Sequence, residues 1–281
     1  MPRLPKWMRV DIKNGKNITK VDNILNNLEL NTVCKEANCP NRLECFNNKT
    51  ATFMILGSKC SRNCRFCDVK FGKGEIIDKD EPKKIYKAIE KLGLKHVVIT
   101  SVTRDDLDDG GAFHFANVVK YIKNFKKDIH IELLIPDLQG DKEALKTILD
   151  AKPDVLNHNI ETIKRLYSDI RPQADYNQSL KVIENVKEID KDVYTKSGIM
   201  LGLGEKKSEV IQVFKDLRNA GCDFLTIGQY LQPSKDHYET KKYIKPETFE
   251  KYKKEAYKLG FKKVTSGPMV RSSYHASKML D

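Results

Sequence analysis

Six of the seven cysteines lie between Cys34 and Cys67, and their spacing divides them into two triads. Cys60, Cys64 and Cys67 form C-x3-C-x2-C in CSRNCRFC, while Cys34, Cys39 and Cys45 form C-x4-C-x5-C in CKEANCPNRLEC. Three thiolates on one tight loop can cap three irons of a four-iron cubane and leave the fourth open. An open metal position is the usual mark of a catalytic site, as it is for zinc. The competing reading is a zinc site completed by a His or a distant Cys. Zinc cysteines usually come in paired knuckles, however, and no second knuckle completes this one. By the same count Cys34, Cys39 and Cys45 would hold a second cluster with one ligand missing. The alternative is a chance group of structural thiols, although their polar, Asn- and Glu-rich setting does not look like core. Cys222, in AGCDFLTI ahead of an apolar run, reads as a plain buried thiol.

Composition narrows the class of protein that carries these triads. The chain has 281 residues, 32% charged and 40% hydrophobic, which suits one large water-soluble globular domain with short extensions. An odd cysteine count, with six crowded into one corner, argues against a disulfide scaffold and for metal or redox chemistry. No segment approaches the roughly 20 apolar residues of a membrane span, and Met1–Val10 has no apolar signal core. The expected address is cytoplasmic, with no membrane partner. Lys and Arg number 51 against 39 Asp and Glu, a formal charge of 51 − 39 = +12. That excess favours acidic partners, or is simply a lysine-rich solvated surface. Aromatic and basic residues do not interleave as a nucleic-acid stacking platform requires.

The elements that must position the cysteines begin at Thr52. Apolar runs at Thr52–Leu56, His96–Thr100, Ile129–Leu134, Val155–Asn157, Ser197–Leu201 and Phe224–Ile227 read as buried strands, with a seventh beginning at Val264. Helix-period segments lie between and after them, near Pro82–Leu92, Phe113–Phe125, Lys142–Leu149, Ser179–Ile189, Ser208–Ala220 and Glu247–Leu259. Alternation of this kind predicts either a TIM-like barrel or a doubly wound parallel sheet, with chemistry at the carboxyl ends of the strands. The chemistry-bearing loops fall there. Cys60, Cys64 and Cys67 follow the first strand, Ser101–Gly111 the second, Asn157–Glu161 the fourth, Gly202–Glu205 the fifth and Gly228–Pro233 the sixth.

The C-x3-C-x2-C loop resembles the signature of the radical S-adenosylmethionine (SAM) superfamily, and Phe66 matches the aromatic residue that family places before its last cysteine. Over nearly the whole chain the sequence resembles the lipoyl synthase family. The matching segments run from PKWMRV through EANCPNRLECF, TSVTRDDLDDGGAFHF, NHNIET, RPQADYNQSL, KSGIMLGLGE and LTIGQYLQPS to SGPMVRSSYHA. The resemblance implies a partial (β/α)6 barrel over 51–262. It also implies an N-terminal extension over 1–50 carrying Cys34, Cys39 and Cys45, and a segment over 263–281 closing over the barrel mouth. It further implies insertion of two sulfurs at C6 and C8 of an octanoyl chain amide-linked to a carrier lysine. Cys60, Cys64 and Cys67 would hold the SAM-cleaving cluster. Cys34, Cys39 and Cys45 would hold an auxiliary four-iron cluster as sulfur donor, with Ser273 of RSSY as its fourth ligand. Alkoxide suits a cluster iron less well than thiolate, so that ligand would be the easiest to release.

Asn159 and Glu161 match a segment that contacts the SAM ribose in biotin synthase; a helix N-terminus is the plain alternative. Arg171 is a candidate partner for the SAM carboxylate, or a surface arginine. The acids Asp105, Asp106, Asp108 and Asp109 look like metal ligands in isolation but take no catalytic role here. Thr103 and Gln173 depart from the family's usual residues. Expected partners are an octanoylated carrier, either an acyltransferase domain or a glycine-cleavage carrier, and a low-potential electron donor. Two other activities compete. A biotin-synthase-like sulfur-inserting enzyme is disfavoured by the N-terminal triad, which biotin synthases lack. A zinc-containing nucleic-acid binder would exploit the positive charge.

Overall fold

Seven short runs rich in Val, Ile, Leu and Phe become the strands of one parallel sheet. They are β1 (Thr52–Ile55), β2 (His96–Ser101), β3 (His130–Leu134), β4 (Val155–Asn157), β5 (Tyr194–Leu201), β6 (Phe224–Gln229) and β7 (Lys263–Gly267). This computed structural model describes residues 4–8 and 16–280; the sequence expectations for residues 1–3, 9–15 and 281 lie outside that range. Strand order follows chain order from β1 to β7. A doubly wound sheet reverses its order at a switch point, so the unbroken order leaves the singly wound, partial-barrel class. The run at Val264 is taken up as β7, a seventh strand beyond the six strand–helix units.

By density of internal contacts the chain forms two compact units. One comprises 16–62 and 68–155 of the described residues; the other comprises 4–8, 63–67 and 156–280. Within the first, β1 pairs with β2 from Thr52↔Val98 to Ile55↔Ser101, and β2 with β3 from His96↔His130 to Thr100↔Leu134. The Glu81–Leu92 helix buries Ile85, Ala88, Ile89 and Leu92, the i, i+3, i+4, i+7 stripe of an amphipathic helix. Each large apolar side chain so buried contributes roughly 1.5–3 kcal/mol. Gly93 ends that helix at φ +67°, a conformation glycine adopts without cost. The Ala112–Phe125 helix follows, with Asp109 accepting from the Gly111 and Phe113 amides at its start.

Within the second unit, β5 pairs with β6 from Lys196↔Phe224 to Leu201↔Gln229, and β6 with β7 from Phe224↔Lys263 to Gly228↔Gly267. Their apolar faces join Phe214, Tyr230, Phe249 and Phe261 in one core. Asp223, just before β6, ties the amino ends of these strands together. It contacts the Thr195 amide (3.1 Å), Lys187 (2.7 Å) and Lys262 (2.9 Å). In barrels the amino ends carry stability and the carboxyl ends carry chemistry, which leaves the opposite end of these strands for function.

Candidate active site

The N-terminal cysteines sit on two short helices, Val33–Glu36 and Arg42–Asn47, and on the turn between them. Thr32 starts the first helix, its hydroxyl accepting from the Lys35 amide, and forms an antiparallel bridge with Phe53 of β1. The Met54 amide donates to the Asn31 carbonyl at 2.9 Å, so the segment ahead of Cys34 is fastened to β1. Cys39 N–H donates to the Cys34 carbonyl (3.2 Å) and Cys45 N–H to that of Asn41 (2.9 Å). Burial pushes the Cys34 thiol up to about 11, with the nearby Cys39 adding to the shift and hydrogen bonds from Thr52 opposing it. Burial also pushes the Cys45 thiol up to about 12, reinforced by Cys34, Cys39 and Glu44. Cys39 adds to the cost of ionising Cys34, and both add to that of Cys45, so three donors are gathered at one place. Iron would reverse that cost, because a bound cation favours the deprotonated form.

Cys60 closes a two-residue parallel ladder, Lys59–Cys60 with Lys70–Phe71. Its Sγ accepts from the backbone N–H of Thr103 at 3.3 Å and of Arg62 at 3.5 Å. Arg62 is only 8% exposed, and its guanidinium forks onto two carboxylates. Nε and Nη2 reach Asp105 at 2.7 and 2.8 Å, and Nη1 and Nη2 each reach Asp137 at 2.8 Å. Ser61 completes the clamp, donating from Oγ to Asp105 at 2.9 Å and from its amide to the Thr103 carbonyl at 3.0 Å. Asp106 pairs with Arg104 through two bonds of 2.8 Å. Three of the four acids in this loop are thus structural: Asp105 in the clamp, Asp106 in an ion pair, and Asp109 at a helix start.

Cys64 and Cys67 belong to the second unit with residues 63–67. The Cys67 amide donates to the Cys64 carbonyl at 3.0 Å, and Phe66 packs on the apolar core. Four further backbone groups of this stretch find distant partners. Asn63 N–H donates to Gln173 Oε1 (2.6 Å), Arg65 N–H to the Ile170 carbonyl (2.9 Å) and Tyr238 N–H to the Arg65 carbonyl (2.7 Å). His237 Nε2 donates to the Cys67 carbonyl at 3.0 Å, a bond that fixes the proton on Nε2 because a carbonyl only accepts. Gln173, one of the departures from the family pattern, therefore bonds directly to the cysteine loop.

Beyond β4 the chain turns back on β5. Glu161 bridges to Ile199, its N–H donating to the Gly198 carbonyl at 2.9 Å and its carbonyl accepting from Met200 at 2.8 Å. It does so at φ +64°, a left-handed conformation that costs a non-glycine residue on the order of 1 kcal/mol and clusters at functional sites. Glu161 is half-buried, and its carboxylate accepts from Asn159 Nδ2 at 3.0 Å. Burial pushes the carboxyl up, while Arg171 and the Asn159 amide pull it down. Arg171 itself is 8% exposed, donating to the Asn159 carbonyl (3.1 Å) and the Tyr167 hydroxyl (2.8 Å) and lying 5.2 Å over the Tyr167 ring. Gly202 and Leu203 spend their amides on Glu205 at 2.7 and 2.8 Å. Ser272 joins Asn157 and Asn159, whereas the Ser273 hydroxyl has no hydrogen-bond partner among the described residues.

The structure thus gathers Cys34, Cys39 and Cys45 in one place and Asn159, Glu161 and Arg171 in another. No disulfide joins any of the seven cysteines. Among the described residues no three Cys, His, Asp or Glu side chains converge as the ligands of a single metal ion. A cubane asks for something else, since each ligand attaches to its own iron. The donor sets fit such clusters: crowded thiols in the N-terminal triad, and a sulfur receiving two amide N–H groups at Cys60. The region around Glu161 fits SAM, offering a carboxylate on a strained, pinned backbone; a carboxylate is the group that other nucleotide sites use for ribose hydroxyls. Arg62, Asp137, His237 and Ser272 were not singled out by sequence patterns, although Arg62 stands inside the cysteine motif.

Comparison with known proteins identifies the family of the chain. Residues 54–217 match the model of the radical SAM superfamily. Residues 1–39 match that of the N-terminal domain of lipoyl synthase of the radical SAM family. The lipoyl synthase of Alkaliphilus metalliredigens strain QYMF is 59% identical over 279 residues, covering 99% of this chain and 96% of the relative. The chain belongs to the lipoyl synthase family. The lipoyl synthase of Caldicellulosiruptor saccharolyticus is 55% identical over 98% of this chain and 96% of its own length. Two solved structures share the fold at low identity. Methylornithine synthase (PylB) has a TM-score of 0.55 at 13% identity, over 90% of this chain and 82% of that one. HydG, a maturase of [FeFe]-hydrogenase, has a TM-score of 0.58 at 14% identity, over 95% and 74%. As radical SAM proteins, members of this family use a four-iron cluster and SAM. Among the described residues no helix is long and apolar enough to cross a membrane.

Proposed function

We propose that this chain performs its family's reaction, inserting two sulfur atoms at C6 and C8 of an octanoyl group amide-linked to a carrier lysine. The observation that carries this reading is the gathered N-terminal triad ahead of C-x3-C-x2-C in one chain. Single-cluster radical chemistry needs only the second. When bound, a cluster with SAM supplies a 5′-deoxyadenosyl radical for hydrogen abstraction, and an auxiliary cluster supplies sulfide.

The chain's own residues hold and orient these groups. Cys60, Cys64 and Cys67 are the ligands of the SAM-binding cluster, and the Arg62–Asp105–Asp137 clamp fixes the backbone that points two N–H groups at Cys60. Phe66 roots the cysteine loop in the core. Glu161, oriented by Asn159, accepts from the SAM ribose. Arg171 holds Asn159 in place and supplies positive charge for the SAM carboxylate. Cys34, Cys39 and Cys45 are the thiolate ligands of the auxiliary cluster. Ser273, whose hydroxyl has no hydrogen-bond partner among the described residues, is the fourth. The partners are an acyltransferase-domain or glycine-cleavage carrier bearing the octanoyl group and a low-potential electron donor, and the cytoplasm is their common compartment.

The test is mass spectrometry of an octanoylated carrier after anaerobic turnover with SAM and a low-potential reductant. A product gaining two sulfurs is expected; an unchanged octanoyl group with both clusters intact rejects the reading. In the same assay Ser273→Ala is expected to cleave SAM but form no lipoyl product, and normal product from that variant would remove Ser273 from the ligand set.

A further inference from the structure

Ser272 and Ser273 adjoin in the chain and differ in their commitments. Ser272 Oγ accepts from Asn157 Nδ2 at 2.8 Å and donates to Asn159 Oδ1 at 3.0 Å. Asn159 in turn donates through Nδ2 to Glu161 Oε1 at 3.0 Å. The direction of this chain is forced from its far end. A carboxylate only accepts, so the Asn159 nitrogen must face Glu161 and its oxygen must face Ser272. Ser272 then has to donate to Asn159, which leaves its lone pairs for Asn157. A serine serving only a turn would bond to nearby backbone. Both partners of Ser272 are instead side chains more than a hundred positions away, 115 for Asn157 and 113 for Asn159.

Two glycines make room for the arrangement. A Cβ on Gly198 of β5 would stand 2.8 Å from Asn159 Oδ1 and 2.7 Å from Thr226 Oγ1. A Cβ on Gly228 of β6 would collide with the Val270 carbonyl. The strands are thus bare where Asn159 and the C-terminal segment must lie close against them. Gln229 N–H, donating to the Pro268 carbonyl at 3.4 Å, adds a backbone tie for the same segment.

We propose that Ser272 is a positioning residue whose hydroxyl latches the C-terminal segment to Asn157 and Asn159, holding Glu161 oriented for SAM, so that SAM binding and ordering of residues 268–275 are one linked event. This rests on the reading of Asn159 and Glu161 as part of the SAM pocket. Linkage makes the effect reciprocal: if the latched segment favours SAM, SAM favours the latched segment by the same factor. The segment that carries Ser273 is then most firmly held when SAM is in place.

The test uses oxidised, cluster-loaded protein, which binds SAM without cleaving it. SAM affinity is measured by anaerobic calorimetry for wild type, Ser272→Ala, Ser272→Thr and Glu161→Gln. Hydrogen exchange over residues 268–275 is followed with and without SAM. Ser272→Ala is expected to keep wild-type iron content, weaken SAM binding about 5- to 10-fold, and lose the SAM-dependent protection of the segment. Ser272→Thr, which retains a hydroxyl, is expected to recover most of both. If Glu161→Gln weakens SAM binding while Ser272→Ala binds as wild type, the latch is wrong and the pocket stands. If Glu161→Gln binds SAM as wild type, the pocket reading fails and takes the latch with it. Loss of iron together with affinity in both Ser272 variants would mark a structural role and overturn the proposal.

Discussion

Arg62 shows what a residue inside a motif can do without being one of its ligands. Its planar fork satisfies two carboxylates at once, and the Asp137 side chain is fully buried behind it. Lysine carries the same charge as a point and cannot engage both carboxylates in this way. Arg62→Lys therefore leaves a buried carboxylate poorly paired, at a cost of about 3 kcal/mol or more. The backbone that aims two N–H groups at Cys60 is released with it. The expected result is a thermal midpoint lower by several degrees and iron content falling toward the share of one cluster, both read on anaerobically reconstituted protein. Wild-type stability with full iron would show the clamp to be dispensable. The cysteines were legible in the sequence because spacing alone sets which thiols share a loop. Arg62 was not, because its partner Asp137 is 75 positions away, and neither was Ser272, whose partners are more distant still.

At the level of elements, periodicity did most of the work. The run Val155–Asn157 and the helix Lys142–Leu149 appear with the bounds expected, and the other strands and their helices differ by at most a few residues at an end. Apolar alternation measures burial, and burial is what a parallel sheet and its covering helices share. The Val33–Glu36 and Arg42–Asn47 helices were not anticipated, since one turn or so is too short to show a period. The choice between barrel and doubly wound sheet also lay beyond local pattern, because strand order is a property of pairing.

Asp223 is the element-scale feature most open to measurement. Burial alone would raise its carboxyl, but hydrogen bonds from Lys187, Lys262 and the Thr195 amide outweigh that effect and hold it below the ordinary carboxylate range. A carboxyl lowered in the folded state stabilises above its unfolded value near 3.9 and loses that contribution as pH falls through the lowered value. Asp223→Asn is expected to cost about 2 kcal/mol near neutrality. The gap in thermal midpoint between the two proteins should narrow as pH drops below about 4. A gap independent of pH would mean that Asp223 acts through shape and not charge.

Across the whole molecule the formal charge of +12 counts every cysteine as neutral. Three thiolates around a cubane core resting at 2+ carry about −1, and a Ser273 alkoxide on the proposed second cluster would add one more, so two loaded clusters would bring the chain to about +9. On the proposed function the substrate is an acyl group presented by a carrier protein, so encounter is between two proteins. A strongly cationic enzyme speeds that encounter for an acidic carrier and does little for a short neutral octanoyl-lysyl peptide. The two substrates therefore separate steering from chemistry. Raising salt from about 20 to 300 mM shortens the screening length from roughly 20 to 6 Å. The expected outcome is a several-fold fall in kcat/KM for an acidic carrier domain, carried by association, with the peptide nearly unchanged. Equal salt sensitivity for carrier and peptide would place the effect on the clusters or on SAM binding. No sensitivity in either would leave the positive charge as solvated surface, with no part in recognition.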